Sequence, residues 1–394
     1  MRKKVVVMDL KYLVNIVDSQ LTKLCDATRD YSDRELRILI EKCTQKIGQK
    51  VPLSILERNQ IMEEVFNTRR KLGIIQPLLE DSSINEIMIN GTNNIYIEKG
   101  GNIEETELRF DNRDKLLNMI QGMVSKVNRT VNESMPIVDA RLEDGSRLNV
   151  VLPPVSLDGA IVTIRKFSPN IFNLQNLVEL GTLSEKEKYF LERAVRNKAN
   201  IFISGGTSTG KTTFLNALSG CIGLNERVIT IEDSAELRLG IKNLIRLETR
   251  NPNTEDKGKI TMRQLIKSAL RMRPDRIIIG EVRDEAALDM LNALCTGHEG
   301  SMSTGHANSA RDMLLRLETM AMWEGHMSCE AVRRQIASGI NLIVHLKRDE
   351  SMNRKADEIL EICSYSDGGF ILNTLYEQGK AVNEPKTEKL KEVL

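Results

Sequence analysis

Apolar and polar positions follow a helical period in the first part of the chain. From Tyr12 to about Leu72, apolar residues recur every three or four positions among many charged ones, which predicts three amphipathic helices. Ser32 and the acidic residues Asp33 and Glu35 are typical of a helix start, because the hydroxyl can cap the first turn. Apolar stripes of this kind usually pack into a core. Residues 1–72 are therefore predicted to be a helical extension whose helices pack together, with contact to a partner as the alternative.

From residue 73 the pattern changes to short apolar runs separated by turn residues. Ile84–Ile89 and Asn94–Glu98 flank the dipeptide Asn90-Gly91, which predicts a β-hairpin. Two further strand-like runs and one helical stretch follow, at Leu148–Leu152, Ile161–Ile164 and Asp114–Val127. We interpret residues 73–167 as a small α+β domain. Residues 168–183 contain a proline, several asparagines and a glycine, and are predicted to be a linker.

Beyond residue 184, strand-like and helical patterns alternate along the chain. The predicted strands are Ile201–Ser204, Val228–Ile231, Leu244–Leu247, Arg276–Gly280, Ser301–Thr304 and Leu342–Leu346. Two last runs around Asp367-Gly368-Gly369 predict an antiparallel hairpin. Alternation of this kind favours a parallel sheet with helices on both faces. Residues 184–394 are thus predicted to be an α/β domain with a doubly wound, mainly parallel sheet.

A phosphate-binding loop lies between the first of these strands and the helix after it. Its residues are Gly205, Gly206, Thr207, Ser208, Thr209, Gly210, Lys211, Thr212 and Thr213, which contain the pattern G-x-x-x-x-G-K-T. Glycines let backbone N–H groups close around a phosphate at the positive end of the helix. Lys211 supplies a formal charge for the terminal phosphates, and the Thr212 hydroxyl can ligate Mg²⁺. A glycine-rich turn that binds nothing is disfavoured by the strand before and the helix after, so the sequence predicts a nucleoside triphosphate site.

Polar residues at the ends of other predicted strands are candidates for the chemistry. Ligands of parallel sheets bind at the carboxyl ends of the strands, where Glu232, Glu281 and His306 stand. A carboxylate beside Mg²⁺ can hold the metal or orient the attacking water, although a helix cap is the alternative for each. His298, just before the strand that His306 follows, is a second candidate to sense the terminal phosphate.

The α+β domain carries two arginines of interest, Arg147 after a turn and Arg165 at a strand end. Taken alone, each is more typical of a surface ion pair, and Arg141 and Lys166 are nearby competitors. The residues by themselves leave open which of these four has a function.

Composition narrows the class of protein. The formal net charge is +1, with 28% charged and 41% hydrophobic residues, which disfavours a chain that coats nucleic acid electrostatically. Apolar runs are too short for a transmembrane helix. Six scattered cysteines without a C-x-x-C pair predict free thiols in a reducing compartment, and hence a cytosolic protein. The spacing of histidines and cysteines predicts no metal beyond Mg²⁺.

Four ordered boxes together resemble the secretion ATPases of the type II/type IV secretion superfamily, and most of all the CpaF-like ATPases of tight-adherence (Flp) pilus systems. They are the phosphate loop, Ile229–Leu237 like the aspartate box, Arg271–Arg283 like the atypical Walker B, and Thr296–Asn308 like the histidine box. Outside them, Asp139–Asn149 and Thr163–Phe167 are similar to the family's amino-terminal domain, and Arg246–Asn253 to a loop of the CpaF branch. The resemblance covers roughly residues 70 to 350.

The resemblance implies a fold, a set of roles and an assembly. It implies a RecA-like P-loop NTPase domain that hydrolyses ATP with Mg²⁺, in a homohexamer at the cytoplasmic face of the inner membrane. The implied roles are phosphate and metal binding by Lys211 and Thr212, general base for Glu232, metal-associated carboxylate for Glu281, and coupling of phosphate state to conformation for His298 and His306. Arg147 and Arg165 would reach the phosphates, and Arg246 or Arg250 would act between subunits. Which of the two glutamates is the base stays open.

The implied partners are inner-membrane platform proteins of a pilus or secretion system, with no direct contact to nucleic acid. Two alternatives remain, a ring ATPase that translocates nucleic acid and a nucleotide-bound assembly scaffold of low activity. Ser208-Thr209, Asp284 and Gly305 depart from the expected pattern, since the family usually has Gly-Ser at 208–209 and the CpaF-like branch often has glycine at 284 and leucine at 305. These departures keep the catalytic groups, but Ser208 stiffens the phosphate loop.

Overall fold

A computed structural model describes residues 10–25, 31–49, 51–70, 72–127, 129–167, 172–250, 252, 257–284, 286–323, 327–366 and 368–393. The chain divides into two compact units, Met1–Ser168 and Pro169–Leu394. The first contains the predicted helical extension and α+β domain, and the second contains the phosphate loop.

Within the described part of the extension, the three predicted helices are confirmed as α1 (Leu10–Leu24), α2 (Asp33–Gly48) and α3 (Ile55–Arg70). Ser32 caps α2, because its Oγ accepts from the Glu35 N–H at 3.3 Å while the Glu35 carboxylate accepts from the Ser32 N–H at 2.8 Å. The apolar stripes pack on one another around fully buried residues such as Val17, Ile40 and Val65. The stripes therefore serve as the core of this helical cluster.

The rest of the first unit is an antiparallel sheet with a helix. Its elements are η1 (Gly73–Ile75), α4 (Gln76–Glu80), β1 (Ile84–Asn90), β2 (Asn94–Lys99), β3 (Asn102–Glu105), α5 (Arg113–Lys126), β4 (Ile137–Arg141), β5 (Arg147–Val151) and β6 (Ile161–Arg165). Within the described residues the sheet has six strands in the order β3-β2-β1-β6-β5-β4. The predicted hairpin is confirmed, with Asn90 opposite Asn94. β3 and β4 are additions to the predicted elements.

The second unit is built on a mixed sheet. Its strands are β7 (Ile201–Gly205), β8 (Arg227–Glu232), β9 (Asn243–Glu248), β10 (Arg276–Ile279), β11 (Met302–His306), β12 (Leu342–Arg348), β13 (Arg354–Ser366), β14 (Gly369–Glu377) and β15 (Lys380–Ala381). Their order is β15-β14-β13-β12-β7-β11-β10-β8-β9. Strands β7 to β12 run parallel, and β13, β14 and β15 continue the sheet as antiparallel neighbours. The predicted doubly wound, mainly parallel sheet is confirmed.

Helices cover both faces of this sheet. They are α6 (Leu174–Glu179), α7 (Glu185–Arg196), α8 (Lys211–Ser219), α9 (Met262–Ala269), α10 (Ala286–Leu294), α11 (Ala310–Ala321), α12 (Cys329–Gly339) and α13 (Glu388–Lys391). Ile201 and Ile203 of β7 belong to the core with α6, α7 and α8, whereas Phe202 belongs to the core with α9 to α12. Successive strand residues therefore point into opposite cores, as buried parallel strands require.

Part of the segment predicted as a linker, residues 168–183, is helical and forms α6. Leu174 and Leu177 of that helix and Leu183 after it are 4% exposed and pack into the core of the second unit. Asn173 caps the helix through the Asn176 N–H at 2.9 Å. An asparagine cap and two leucines three positions apart are a signal for a short helix. The linker prediction missed this signal because it rested on the proline, asparagines and glycine of the segment. Residues 168–171 lie outside the described residues.

The structure bears on two expectations from composition, those about disulfide bonds and about membrane-spanning helices. Each of the six cysteines lies in the described part of the chain and is free of a disulfide bond. A search of the described residues finds no helix both long enough and apolar enough to cross a membrane.

Arg276, at the start of β10, ties several elements together from inside the second unit. Its side chain is 1% exposed, and its Nε and Nη2 donate to Glu226 Oε2 at 2.7 Å and Oε1 at 2.9 Å. Its Nη1 donates to the carbonyls of Val195 at 2.8 Å and Gly300 at 3.3 Å. One guanidinium therefore satisfies acceptors from three separate segments.

Replacing Arg276 with methionine is expected to lower the free energy of unfolding of this unit by about 3–5 kcal/mol, because the Glu226 carboxylate loses its partner. Urea unfolding followed by circular dichroism measures the change. Arg334→Ala is the control, since Arg334 pairs with Glu330 on the surface of one helix, and a loss of under about 0.5 kcal/mol is expected there. Equal losses in the two variants would contradict the assigned importance of the buried pair.

Candidate nucleotide-binding site

The phosphate loop connects the carboxyl end of β7 with the first turn of α8. Gly210 caps α8 in a left-handed conformation with φ of 90°, which favours glycine. At Gly205 a Cβ atom would lie 2.6 Å from the Leu346 carbonyl oxygen of the neighbouring strand β12, so only glycine fits. These two glycines therefore allow a strand to turn directly into a helix whose free N–H groups face the loop.

Lys211 extends back across the loop and is 8% exposed. Its Nζ donates to the carbonyl oxygens of Gly205 at 3.1 Å and Gly206 at 2.8 Å. The same Nζ lies 3.4 Å from Nδ1 of His306. The ammonium is thus held inside the loop, where it faces any phosphate that the loop binds.

His306 connects the lysine with Glu281. It ends β11, which lies between β7 and β10, and its Nε2 is 2.9 Å from Glu281 Oε1. Burial and the charge of Lys211 lower the pKa of His306, so its ring is neutral near pH 7. Since Lys211 donates toward Nδ1, the ring proton belongs on Nε2, which faces the carboxylate.

Glu281, directly beyond β10, is held in its ionised form. Arg283 Nη2 donates to Glu281 Oε2 at 2.6 Å. Burial alone would raise the pKa of Glu281, but the hydrogen bond and charge of Arg283, together with His306 and Lys211, hold that pKa below its ordinary value. The site therefore contains a fixed negative charge next to the phosphate loop.

Glu232 ends β8, which neighbours β10 on the side away from β11, and its side chain is 2% exposed. Its Oε2 accepts from the N–H groups of Glu236 at 2.7 Å and Leu237 at 2.9 Å. Its Oε1 is buried and has no hydrogen-bond partner among the described residues. Burial raises the pKa of Glu232, and the two donated N–H bonds offset that effect only in part. A buried carboxylate with one unused oxygen and a raised pKa is suited to accept a proton.

Strand direction separates the two candidate histidines. β11 runs from Met302 to His306, so His298 precedes the amino end of the strand while His306 stands at the carboxyl end beside Gly205. His298 Nδ1 lies 3.3 Å from the Ala293 carbonyl oxygen, at the end of α10. Of the two histidines, His306 therefore lies beside the phosphate loop of its own chain, and the role of His298 in sensing the terminal phosphate stays a prediction.

Two candidate arginines lie along the outer strand and its continuation. Arg246 of β9 is exposed, its Nη2 is 3.5 Å from the Ala235 carbonyl, and its charge counteracts the raised pKa of Glu232. Arg250 donates from Nε to the Gly258 carbonyl at 2.6 Å and forms a backbone bridge with Ile260. Arg246 therefore contributes charge near the base candidate, while Arg250 closes its own loop. Asn251 and Asn253 of the predicted loop lie outside the described residues.

Arg147 and Arg165 are directly opposite each other in the first unit. Arg147 of β5 pairs with Arg165 of β6 on one side and with Arg141 of β4 on the other. Their chain neighbours Leu148 and Ile164 are buried in the core of that unit, so the three arginines line the opposite face of the sheet. Glu86 of β1 continues the row beyond Arg165. Lys166, in contrast, donates to backbone carbonyls of Leu78 at 3.1 Å and Asp81 at 2.5 Å, which gives it a structural contact.

The oxygen donors of the site fit Mg²⁺. Thr212 offers a hydroxyl in the first turn of α8. Glu281 offers an ionised carboxylate just after β10, the second strand from β7 in the sheet. Mg²⁺ keeps several waters and binds phosphate oxygens together with few protein ligands. The described residues contain no group of three or more histidine, cysteine or acidic side chains that could enclose a metal by themselves. This donor set suits a cation that a bound phosphate helps to hold.

Comparison with known proteins identifies the family. A model described as "Type II/IV secretion system protein" matches residues 68–385. The chain belongs to this family. A putative conjugal transfer protein of Mycobacterium tuberculosis is 32% identical over 293 residues, which are 73% of this chain and 83% of that protein. The type IV secretion system protein VirB11 of Bartonella quintana is 31% identical over 328 residues, covering 73% of this chain and 91% of VirB11.

A solved structure supports the fold of this type II/IV secretion system protein. The Legionella pneumophila ATPase DotB has a TM-score of 0.53 and 20% identity, over 71% of this chain and 77% of that chain. Likeness at this level of identity concerns the fold. The predicted fold class, an amino-terminal domain followed by a RecA-like domain, is confirmed.

Several residues of this family member lie at the site although the sequence analysis assigned them no role there. Asn308, Asp312 and Arg316 line an open cleft of about 500 Å³ together with Gly206, Thr207 and His306. Arg348 and Arg354 contact the phosphate loop from the β12–β13 hairpin. Arg283 was part of a quoted box, but its bond to Glu281 follows only from the structure. Asn308 and Arg283 are the last residues of two quoted boxes, so the sequence did carry a signal for them, whereas the others carry no such signal.

Proposed function

We propose that the protein is an ATPase that binds ATP with Mg²⁺ and hydrolyses it to drive a secretion or pilus-assembly machine. The observation that carries this proposal is the row of strand ends around the phosphate loop. Lys211 inside the loop, His306 beside it and Glu281 beyond form one continuous contact chain, and Glu232 ends the next strand with an unused buried oxygen. A protein that only held nucleotide would not require two carboxylates of opposite pKa shift beside the loop.

Each of these side chains has a role in the proposed reaction. Loop N–H groups and Lys211 bind and orient the phosphates, and they stabilise the charge of the transferring group. Glu232 accepts the proton of the attacking water, because its raised pKa makes it a stronger base than an ordinary glutamate. His306, which is neutral and lies 3.4 Å from Lys211 Nζ and 2.9 Å from Glu281 Oε1, transmits a change at Lys211 to Glu281.

Thr212 and Glu281 would hold Mg²⁺, directly or through water. When bound, Mg²⁺ neutralises charge on the terminal phosphates. Arg283 keeps Glu281 ionised and oriented, so the carboxylate is prepared for a cation before one arrives.

The assembly and the machine served are further parts of the proposal. We place the chain in a homohexamer that works at the cytoplasmic face of the inner membrane through platform proteins, in a CpaF-like tight-adherence (Flp) pilus system. Family membership and relatives named for type IV secretion and conjugal transfer support a role in such machines. Arg246 and Arg250, exposed on the outer strand and its continuation, are the candidates to act on a neighbouring subunit, and His298 is a third.

Phosphate release from ATP by the purified chain tests the activity. Turnover above the level of a Lys211→Ala control supports the ATPase, and parity with that control favours the scaffold. Conjugal transfer in the names of relatives makes translocation of nucleic acid the second candidate. Adding single- or double-stranded DNA distinguishes it, since a nucleic-acid motor would hydrolyse faster with DNA and lose that stimulation at high salt. We expect no stimulation.

Arg165→Ala tests whether the first unit takes part in the ATP cycle. We propose that Arg147 and Arg165 form charge-assisted hydrogen bonds to the terminal phosphate, which favour a closed arrangement of the units when ATP is bound. The variant is expected to keep ADP affinity, to hydrolyse more slowly, and to lose an ATP-dependent compaction. Small-angle scattering with ADP and with a non-hydrolysable ATP analogue measures the compaction. Arg109→Ala, an exposed change in the same unit, serves as control, and identical nucleotide responses in parent and Arg165→Ala would refute the proposed link.

A further inference from the structure

The tip of the phosphate loop is held by two arginines from outside the loop. Arg348 donates to the Ser208 carbonyl oxygen from Nε at 3.2 Å and from Nη2 at 3.0 Å. Arg354 donates to the same oxygen from Nε at 3.3 Å. A single backbone carbonyl therefore accepts hydrogen bonds from two guanidinium groups.

Ser208 adopts a backbone conformation that a serine disfavours. Its φ is 58°, in the left-handed region, where the Cβ of an L-residue crowds the backbone. Relative to glycine, a residue with a side chain populates this conformation less by about tenfold. An outside contact that holds Ser208 in place offsets this cost, and the two guanidinium groups provide one.

Strand pairing positions both arginines over the loop. β12 pairs with β7 up to Leu346 and Gly205 and then continues by two residues to Arg348. Arg354 of β13 lies directly opposite Arg348. The turn between them is closed by Asp349, whose N–H donates to the Asn353 carbonyl at 2.9 Å and whose Oδ1 accepts from the Asn353 N–H at 2.8 Å. The hairpin thus presents both guanidinium groups at a fixed place.

The positive charges of Arg348 and Arg354 also indicate why the two side chains share one acceptor. Two like charges directly opposite each other on neighbouring strands are destabilising, and an acceptor shared by both offsets part of that cost. The Ser208 oxygen is such an acceptor. The stem of Arg354 also lies against the cap of α8, since a Cβ at Gly210 would be 3.1 Å from Arg354 Cδ.

We propose that Arg348 and Arg354 are positioning residues, which hold the phosphate loop in its phosphate-binding conformation against the strain at Ser208. In a planar trans peptide the C=O and N–H groups point in opposite directions. Fixing the Ser208 carbonyl toward the arginines therefore aims the Thr209 N–H away from them, as a donor for phosphate. The proposal rests on the proposed nucleotide binding and adds the means by which the loop is preformed.

Calorimetric titration with Mg·ADP tests the proposal as a double-mutant cycle. Arg348→Ala/Arg354→Ala is expected to weaken binding about tenfold in the parent chain. In the Ser208→Gly background the same pair of changes is expected to weaken binding by less than about twofold, because glycine adopts the left-handed conformation without help. Arg334→Ala, which removes an exposed arginine from α12, is the matched control and is expected to bind like the parent.

Two results would overturn the positioning role. Parent-like affinity of the double variant would show that the loop needs no support. An equal tenfold loss in the Ser208→Gly background would show that the arginines act on the ligand by charge. Because Arg354 is exposed, Arg354→Ala alone provides a second variant that keeps the fold, with a loss of about threefold expected and the same dependence on Ser208. Failure of the parent itself to bind Mg·ADP would instead refute the nucleotide site, and with it this proposal.

Discussion

Replacing Lys211 with alanine is expected to weaken the binding of Mg·ATP by about 10- to 100-fold and to reduce ATP hydrolysis below detection. The ammonium lies inside the loop at 8% exposure, and a hydrogen bond from a charged group contributes about 1.5–3 kcal/mol. Its loss also removes the contact with His306 Nδ1, so the chain to Glu281 is interrupted at its first member. Calorimetric titration and phosphate release measure the two effects.

Lys186→Ala is the control for this change, since Lys186 is an exposed lysine of α7 in the same unit. A thermal melt of Lys211→Ala checks that the lost activity reflects the site, because Lys211 also donates to two loop carbonyls. Parent-like affinity and turnover in a folded Lys211→Ala protein would refute the assignment of the phosphate loop.

Glu232→Gln is expected to retain Mg·ATP binding and to slow hydrolysis by about 10²–10⁴-fold, the range for a lost general base. The amide oxygen of glutamine can still accept from the Glu236 and Leu237 N–H groups, so the fold of the site is preserved. Burial raises the pKa of Glu232, and the base acts only when deprotonated. In the parent, kcat should therefore fall as pH decreases through a pKa raised above the ordinary value of glutamate, and Glu232→Gln should lack this acidic limb.

Glu281→Gln is the matched comparison, because Glu281 has the opposite pKa shift. It is expected to keep the acidic limb of the parent while requiring more Mg²⁺ for half-maximal rate. If Glu281→Gln lost the acidic limb of the pH profile and Glu232→Gln retained it, the roles of general base and metal-associated carboxylate would be exchanged.

The position of the candidate site residues in the sheet could be predicted from the sequence, because the signal has a structural cause. A buried strand followed by a polar residue places that residue at the carboxyl edge, and parallel pairing brings Gly205, His306, Glu281 and Glu232 together in strand order. By the same rule His298, which precedes its strand, lies at the opposite end of that strand from His306.

Other parts of the structure had no periodic signal. The four residues of β3 are all exposed, so no alternation of apolar and polar positions marks that strand. Arg348 and Arg354 reach the loop because β12 passes the end of β7 and turns back, which depends on register rather than on any motif. Long-range pairing of this kind is decided by tertiary packing.

The row formed by Arg141, Arg147 and Arg165 limits which substitutions this face of the sheet tolerates. Like charges side by side on a sheet weaken the strand pairing, and Glu86 lies next to Arg165 at one end of the row. Selection for a robust fold alone would replace the middle arginine with a β-branched or aromatic residue. Substitutions that make this unit more heat-resistant should therefore concentrate at the same positions as those that impair the proposed ATP cycle, a trade-off between thermal stability and activity.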